Sequence, residues 1–182
     1  MTDSCCPPET PESAPAPVSK PVRRWADYLP LLVVVALTLA AATARQFAEA
    51  GPFDGRGWMH DFMGFFLVVF AMLKLFDLPG FADGFSMYDL LAKRVRAYGF
   101  VYPFLEAALG LGYLSHAATP VVAGATVALM SFGALGVIIA LRKGLDLRCA
   151  CMGTSLRVPL STVALVEDLG MAAMAVAMLA GR

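Results

Sequence analysis

The chain has 182 residues, of which 59% are hydrophobic and 15% charged, and its mean hydropathy is +0.70. This composition argues against a water-soluble domain, because so few polar residues cannot cover a globule of this size. Fourteen basic and fourteen acidic residues cancel, so the chain lacks the positive field expected of a nucleic-acid-binding protein. Apolar runs long enough to cross a bilayer recur along the chain and predict a polytopic membrane protein.

Residues 1–28 differ in composition from the rest of the chain. Five prolines fall between Pro7 and Pro17, among Glu, Ser, Thr and Ala residues. Such a mixture cannot bury enough apolar area to offset chain entropy, so the segment is predicted to be a disordered, Pro-rich cytoplasmic tail. It ends in basic and aromatic residues of the kind that flank a transmembrane helix, namely Lys20, Arg23, Arg24, Trp25 and Tyr28.

The remainder, 29–182, is predicted to be an all-α membrane bundle of about five transmembrane helices. The expected spans are residues 29–47, 58–78, 98–116, 120–141 and 159–180. The first span also contains Ala42-Thr43-Ala44, the small-x-small pattern of a signal-peptide cleavage site. The long, partly acidic leader before it favours a retained membrane helix.

Basic residues predict the orientation of the bundle. With a cytoplasmic N-terminus, three basic residues lie outside, Lys74 lies in the membrane, and ten lie inside, namely Lys20, Arg23, Arg24, Lys93, Arg94, Arg96, Arg142, Lys143, Arg148 and Arg157. Between the second and third spans, residues 81–96 mix apolar and charged side chains at helical spacing. This segment is predicted to form a short helix lying in the cytoplasmic interface.

The four cysteines occur as two close pairs, Cys5-Cys6 in the tail and Cys149-Ala150-Cys151 between the last two spans. In the predicted orientation both pairs face a reducing compartment, where close thiols are more often redox-active or metal-binding than structural. A disulfide between Cys149 and Cys151 would close a small ring of poor geometry and would be easily reduced. Arg148 precedes the pair and favours the thiolate form.

The same thiols suit a soft metal ion such as monovalent copper. Cys5 and Cys6 would capture the ion, and Cys149 and Cys151 would receive it. Three methionines share one face of the last span with Glu167, and their thioethers are soft ligands; they are Met171, Met174 and Met178. Packing is the simpler interpretation for these methionines, and inert packing also remains open for the cysteines.

Acidic residues inside the predicted spans are candidates for function, because an ionised carboxylate is costly in a membrane unless it is paired or hydrated. Glu106 lies near the middle of the third span, and Glu167 and Asp168 lie about two turns into the last. Lys74 and Asp77 are three residues apart and can pair with each other near the cytoplasmic end, which is the simpler interpretation for both. Glu106 is then either protonated or paired with Lys74, and the sequence leaves both open.

The segment GLDLRCACMGTSLRVPLSTVALVEDLGMA, with its C-x-C pair followed by an apolar residue and Gly, resembles the MauE/DoxX-like family of redox-associated membrane proteins. The block KLFDLPGFADGFSMYDLLAKRVRAYGFVYPFLEAALGLGYL is similar to members of the same group, including some associated with heavy metals. The resemblance implies a DoxX-like four-helix core plus one helix in a bacterial inner membrane. It also implies maturation or transport of the disulfide-rich small subunit of methylamine dehydrogenase, with Cys149, Cys151 and Gly153 as the residues that carry over.

Two functions are therefore predicted, and the sequence does not choose between them. In the first, Cys149 and Cys151 exchange disulfides with a protein dithiol partner, Glu106 or Glu167 accepts the thiol proton, and no cofactor is needed. In the second, the chain transports or carries a soft metal ion such as copper or mercury, with a metal carrier as partner. A purely structural subunit is the third interpretation. Beyond the thiols, no recognised catalytic motif is present.

Overall fold

The computed structural model describes residues 29–48, 51–117, 119–143 and 160–181, which are almost entirely helical. The described residues form six helices: α1 Leu29–Ala48, α2 Gly55–Phe76, α3 Leu78–Ser86, α4 Arg96–Leu114, α5 Thr119–Arg142 and α6 Leu160–Ala180. The predicted tail and all four cysteines lie outside the described residues.

The predicted all-α membrane bundle is confirmed. Among the described residues, four helices are long and apolar enough to cross a bilayer, namely α1, α2, α5 and α6. The third expected span is α4, whose 19 residues extend about 28 Å, close to the ~30 Å thickness of the hydrocarbon core. Because α4 packs along α2, we treat it as a fifth membrane helix.

Aspartates mark where the helices around the second span begin and end. The Asp54 side chain caps α2 by accepting hydrogen bonds from the backbone N–H groups of Arg56 and Gly57. Asp77 ends α2 in a non-helical conformation and caps α3 by accepting from the Gly80 N–H. Pro79 occupies the first turn of α3, where its missing N–H costs nothing. Because Asp77 caps α3, the predicted pairing of Lys74 with Asp77 is not the arrangement that forms.

The short helix predicted over residues 81–96 differs from the observed one. Helix α3 starts earlier and ends at Ser86, and residues 90–94 form turns instead of helix. Phe81 and Phe85 are buried against Tyr102 of α4, with ring centroids 6.1 and 4.7 Å from the Tyr102 ring. These apolar contacts hold α3 against α4, so that α3 covers one end of the hydrophobic core.

The two ends of the bundle follow from the direction of each helix. At the first, which we call the Asp61 end, α2 begins and α6 finishes, and Arg56 donates a hydrogen bond to the carbonyl of Gly181. At the opposite end, which we call the Lys74 end, α3 and the following turns pack against the last part of α5, near Gly136. Both helix ends that flank residues 144–159 therefore lie at the Lys74 end.

Helices α2 and α4 approach closely where two glycines face each other. A Cβ added to Gly110 would lie 2.9 Å from the backbone nitrogen of Val68 and 3.0 Å from the carbonyl oxygen of Gly64. Neither contact can be relieved by moving a side chain. Small residues of this kind allow membrane helices to pack backbone to backbone, and here the packing aligns the charged side chains of α2 and α4.

We predict that Gly110→Ala destabilises the bundle by about 1–3 kcal/mol, because the added methyl group overpacks a backbone contact. Gly124→Ala is the matched control, since nothing lies within 4 Å of its Cβ position. Thermal unfolding in detergent measures both variants. Equal unfolding temperatures for the two variants would contradict the close packing of α2 and α4.

Candidate functional site

A buried ion-pair cluster joins three membrane helices, and we call it the Lys74 centre (Lys74, Glu106 and Glu167). The Lys74 ammonium lies 2.7 and 2.6 Å from the two carboxylate oxygens of Glu106 and 3.1 Å from Oε1 of Glu167. The three side chains are 3%, 0% and 3% exposed. The centre thus links α2, α4 and α6 through charges that water does not reach freely.

Aromatic rings enclose the ammonium. The Lys74 Nζ lies 5.8 Å from the ring centroids of Phe70 and Phe81 and 5.3 Å from that of Tyr102. Phe70 precedes Lys74 by four residues on α2, as Tyr102 precedes Glu106 on α4, so each aromatic lies one turn from the charge on its own helix. Ring faces attract a cation and exclude water, which strengthens the ion pairs.

A third carboxyl group, Asp168, extends the site towards α5. Its side chain is buried, and its Oδ2 lies 2.8 Å from the position that a Cβ on Gly133 would occupy. A cavity of about 10 Å³, roughly enough for one water molecule, lies beside it. The cavity is lined by Lys74, Phe81, Phe85, Tyr88, Tyr102, Ala164, Glu167 and Asp168.

Asp89 lies at the Lys74 end, in the chain between α3 and α4. Its Oδ1 accepts hydrogen bonds of 2.8 Å from the N–H groups of Leu91 and Ala92, and its Oδ2 is buried without a hydrogen-bond partner. Burial raises the pKa of the Asp89 carboxyl, while those two N–H groups and Lys93 oppose the shift. Asp89 therefore holds its proton more strongly than an exposed aspartate does.

A second polar cluster lies at the Asp61 end. Buried Asp61 pairs with Nε of Arg45 at 3.3 Å and with Nε2 of His116 at 3.0 Å. His60 stacks on His116 at 5.2 Å between centroids and meets Tyr113 edge-on at 5.6 Å. These contacts tie α1, α2 and the residues after α4 together. Asp61 is not among the predicted site residues, although an acid inside a predicted span is an available signal.

The structure brings some of the predicted site residues together. Glu106 and Glu167 meet at Lys74, which resolves the alternatives left open for Glu106 in favour of the pairing. Met171 and Met178 are buried and Met174 partly buried within the apolar core. Cys5, Cys6, Cys149 and Cys151 lie outside the described residues. Within the described ranges, no group of three or more His, Cys, Asp or Glu is placed to hold a metal ion.

Fold and site together define a multi-pass membrane protein with charged side chains paired inside the bundle. Residues 57–181, well over half of the chain, match the family model described as methylamine utilisation protein MauE. The chain belongs to this family. No curated protein and no solved structure matches it significantly.

We predict that Lys74→Met destabilises the protein by about 3–5 kcal/mol, because it leaves buried carboxylates without their cation. The double variant Lys74→Met/Glu106→Gln is expected to recover part of this loss. The control is Arg96→Met, which breaks an exposed ion pair of the same 2.6 Å length with Asp83 and should cost roughly 0–1 kcal/mol. Unfolding in mixed micelles compares the variants. Equal losses of stability for Lys74→Met and Arg96→Met would show that burial does not increase the contribution of the ion pair to stability.

We predict a pH-dependent effect of Asp89→Asn. Because burial raises the native pKa, the native state binds this proton more tightly than the unfolded state, and the group's stabilising effect declines as pH rises above about 4. Asn keeps the hydrogen bonds to Leu91 and Ala92 but does not ionise. The variant should therefore gain stability over the native protein as pH increases, measured as the difference in unfolding temperature. A difference independent of pH would contradict the shift.

Proposed function

We propose that this chain is a membrane thiol-disulfide exchange protein in which Cys149 and Cys151 are the reactive pair. The observation that carries the proposal is that the Lys74 centre lies towards the end of the bundle at which α5 ends and α6 begins. Helix α5 ends and α6 begins at the Lys74 end, on either side of residues 144–159, and α6 contributes Glu167 to the centre. Membership of the MauE family supports a role in methylamine utilisation.

The exchange balances without a cofactor. The thiolate of one cysteine attacks a partner protein's disulfide, forms a mixed disulfide and releases one partner thiolate. The second cysteine then attacks the mixed disulfide, which leaves a Cys149–Cys151 disulfide and a reduced partner. Two electrons pass to the partner, and the two thiol protons end on its thiols. The reverse sequence oxidises a partner dithiol.

The buried carboxyl groups would handle the protons of these steps. A thiol becomes nucleophilic only when it loses its proton, and a carboxylate within reach of the cysteine segment can accept that proton and return it. Glu106 and Glu167 are the groups that we propose for this role. Lys74 would stabilise whichever of the two carboxyl groups is ionised and would so keep a proton acceptor in the centre.

We propose a bacterial inner-membrane location with the N-terminus in the cytoplasm, because basic residues concentrate on that side. The Lys74 end then faces the cytoplasm, and the partner is a protein dithiol or disulfide that reaches this face. The proposed maturation of the methylamine dehydrogenase small subunit would then act on that subunit before its export. Labelling of Cys149 and Cys151 with a membrane-impermeant maleimide tests the side directly.

Handling of a soft metal ion is the alternative that the same cysteines allow. The core methionines already pack against other apolar residues, so packing accounts for them without a metal. Metal content and thiol state, measured together on the purified protein, separate the two functions. One copper or mercury ion per chain with no oxidised form would favour transport.

We predict that Cys149→Ser or Cys151→Ser traps a mixed disulfide with the partner, because the remaining thiol can attack but the second cysteine cannot resolve the product. Non-reducing electrophoresis and mass spectrometry of the isolated adduct measure it. Cys5→Ser and Cys6→Ser are the matched controls and should leave the adduct absent. A pair that stays fully reduced in cells, with no adduct in any variant, would refute the redox function.

A further inference from the structure

The charge balance of the buried acids requires bound protons. Among the described residues, Lys74 supplies the one positive charge in contact with a region that contains three carboxyl groups, those of Glu106, Glu167 and Asp168. Full ionisation would leave two uncompensated negative charges in the membrane interior, which is costly. Interacting groups of this kind share their protons instead. Any change in the charge of the centre must therefore bring a proton in or let one out.

An apolar barrier separates the centre from the Asp61 end. Between Lys74 and Asp61, α2 presents Met63, Phe66, Leu67 and Phe70, all of them buried in the core. Such side chains offer a proton neither a donor nor an acceptor. Exchange with water is therefore expected at the Lys74 end.

Two carboxyl groups lead in that direction along α5. Asp168 lies against Gly133, and the Cα of Asp89 lies 3.3 Å from the position that a Cβ on Gly136 would occupy. The two glycines are three residues apart, which separates them by about 4.5 Å along the helix axis. Asp168 and Asp89 thus lie over neighbouring turns of α5.

One carboxylate oxygen of Asp89 has no hydrogen-bond partner. Its Oδ1 is held by two backbone N–H groups, whereas Oδ2 is fully buried without a hydrogen-bond partner. A buried carboxylate oxygen without a partner is costly, and a proton is the smallest group that relieves that cost. The water-sized cavity is lined by Glu167 and Asp168, so it provides space for a water-mediated transfer between those two carboxyl groups.

We propose that Asp168 and Asp89 form a proton path that connects the Lys74 centre with water at the Lys74 end. A proton leaves the carboxyl group of Glu167, passes through a water molecule in the cavity to the carboxylate of Asp168, and moves on to Asp89. Asp89 is fully buried and is held by the N–H groups of Leu91 and Ala92, so the proton enters bulk water as hydronium when this turn opens. At each step one O–H bond breaks and another forms, so no further reactant is required. The path would serve the proposed thiol chemistry but does not depend on it.

Hydrogen–deuterium exchange of the carboxyl groups tests the path. The full chain in nanodiscs is mixed with heavy water, and infrared spectroscopy follows the carboxyl C=O stretching band as COOH becomes COOD. Glu106→Gln and Glu167→Gln assign the band. Asp168→Asn and Asp89→Asn should each slow the exchange by at least about tenfold, because each removes a group that transfers the proton.

Two further variants keep the test independent of folding. Asp83→Asn removes an exposed carboxylate at the same end and should exchange at the native rate. Gly133→Ala retains all the carboxyl groups but displaces Asp168, so it should also slow exchange. Native rates in Asp168→Asn would overturn the proposal, and slowing by Asp168→Asn without slowing by Asp89→Asn would overturn the path through Asp89. Because no thiol reacts in this measurement, its outcome is separate from that of the adduct experiment.

Discussion

The interaction on which the rest of the structure depends is the bond between the Lys74 ammonium and the carboxylates of Glu106 and Glu167. Inside a membrane an isolated charge of either sign costs free energy, so each of these side chains must lie next to its oppositely charged partner. That requirement fixes the relative heights of α2, α4 and α6. The aromatic rings around the ammonium reinforce it, since they attract the cation and keep water away.

Helix packing supplies the precision that the ion pairs need. The contact between Gly64 and Gly110 brings α2 and α4 close together, and the helix caps at Asp54 and Asp77 set where α2 begins and ends. Close glycine packing and the ion pair therefore act at different levels of the same helix pair, and both hold α2 against α4. Gly133 allows α5 and α6 to pack closely, because its missing side chain leaves room for the Asp168 carboxyl group.

The polar groups of this bundle are unevenly distributed. Carboxyl groups, tyrosines and a water-sized cavity lie towards the Lys74 end, whereas a separate cluster of Asp61, Arg45 and two histidines closes the opposite end. Apolar side chains of the core separate the two. Most of the buried carboxyl groups among the described residues therefore lie towards one end of the bundle, the end at which α5 ends and α6 begins.

The sequence by itself determined the membrane class, the number of long helices and their bounds within a few residues, because each span is a local run of apolar side chains. It also singled out Glu106 and Glu167, since acids in such runs are exceptional. Only the tertiary structure decided that Lys74 bonds to both of them instead of Asp77, and that Asp61 and Asp89 are buried. Residues 74, 106 and 167 lie on three different helices, and no local pattern records how those helices align in height and rotation.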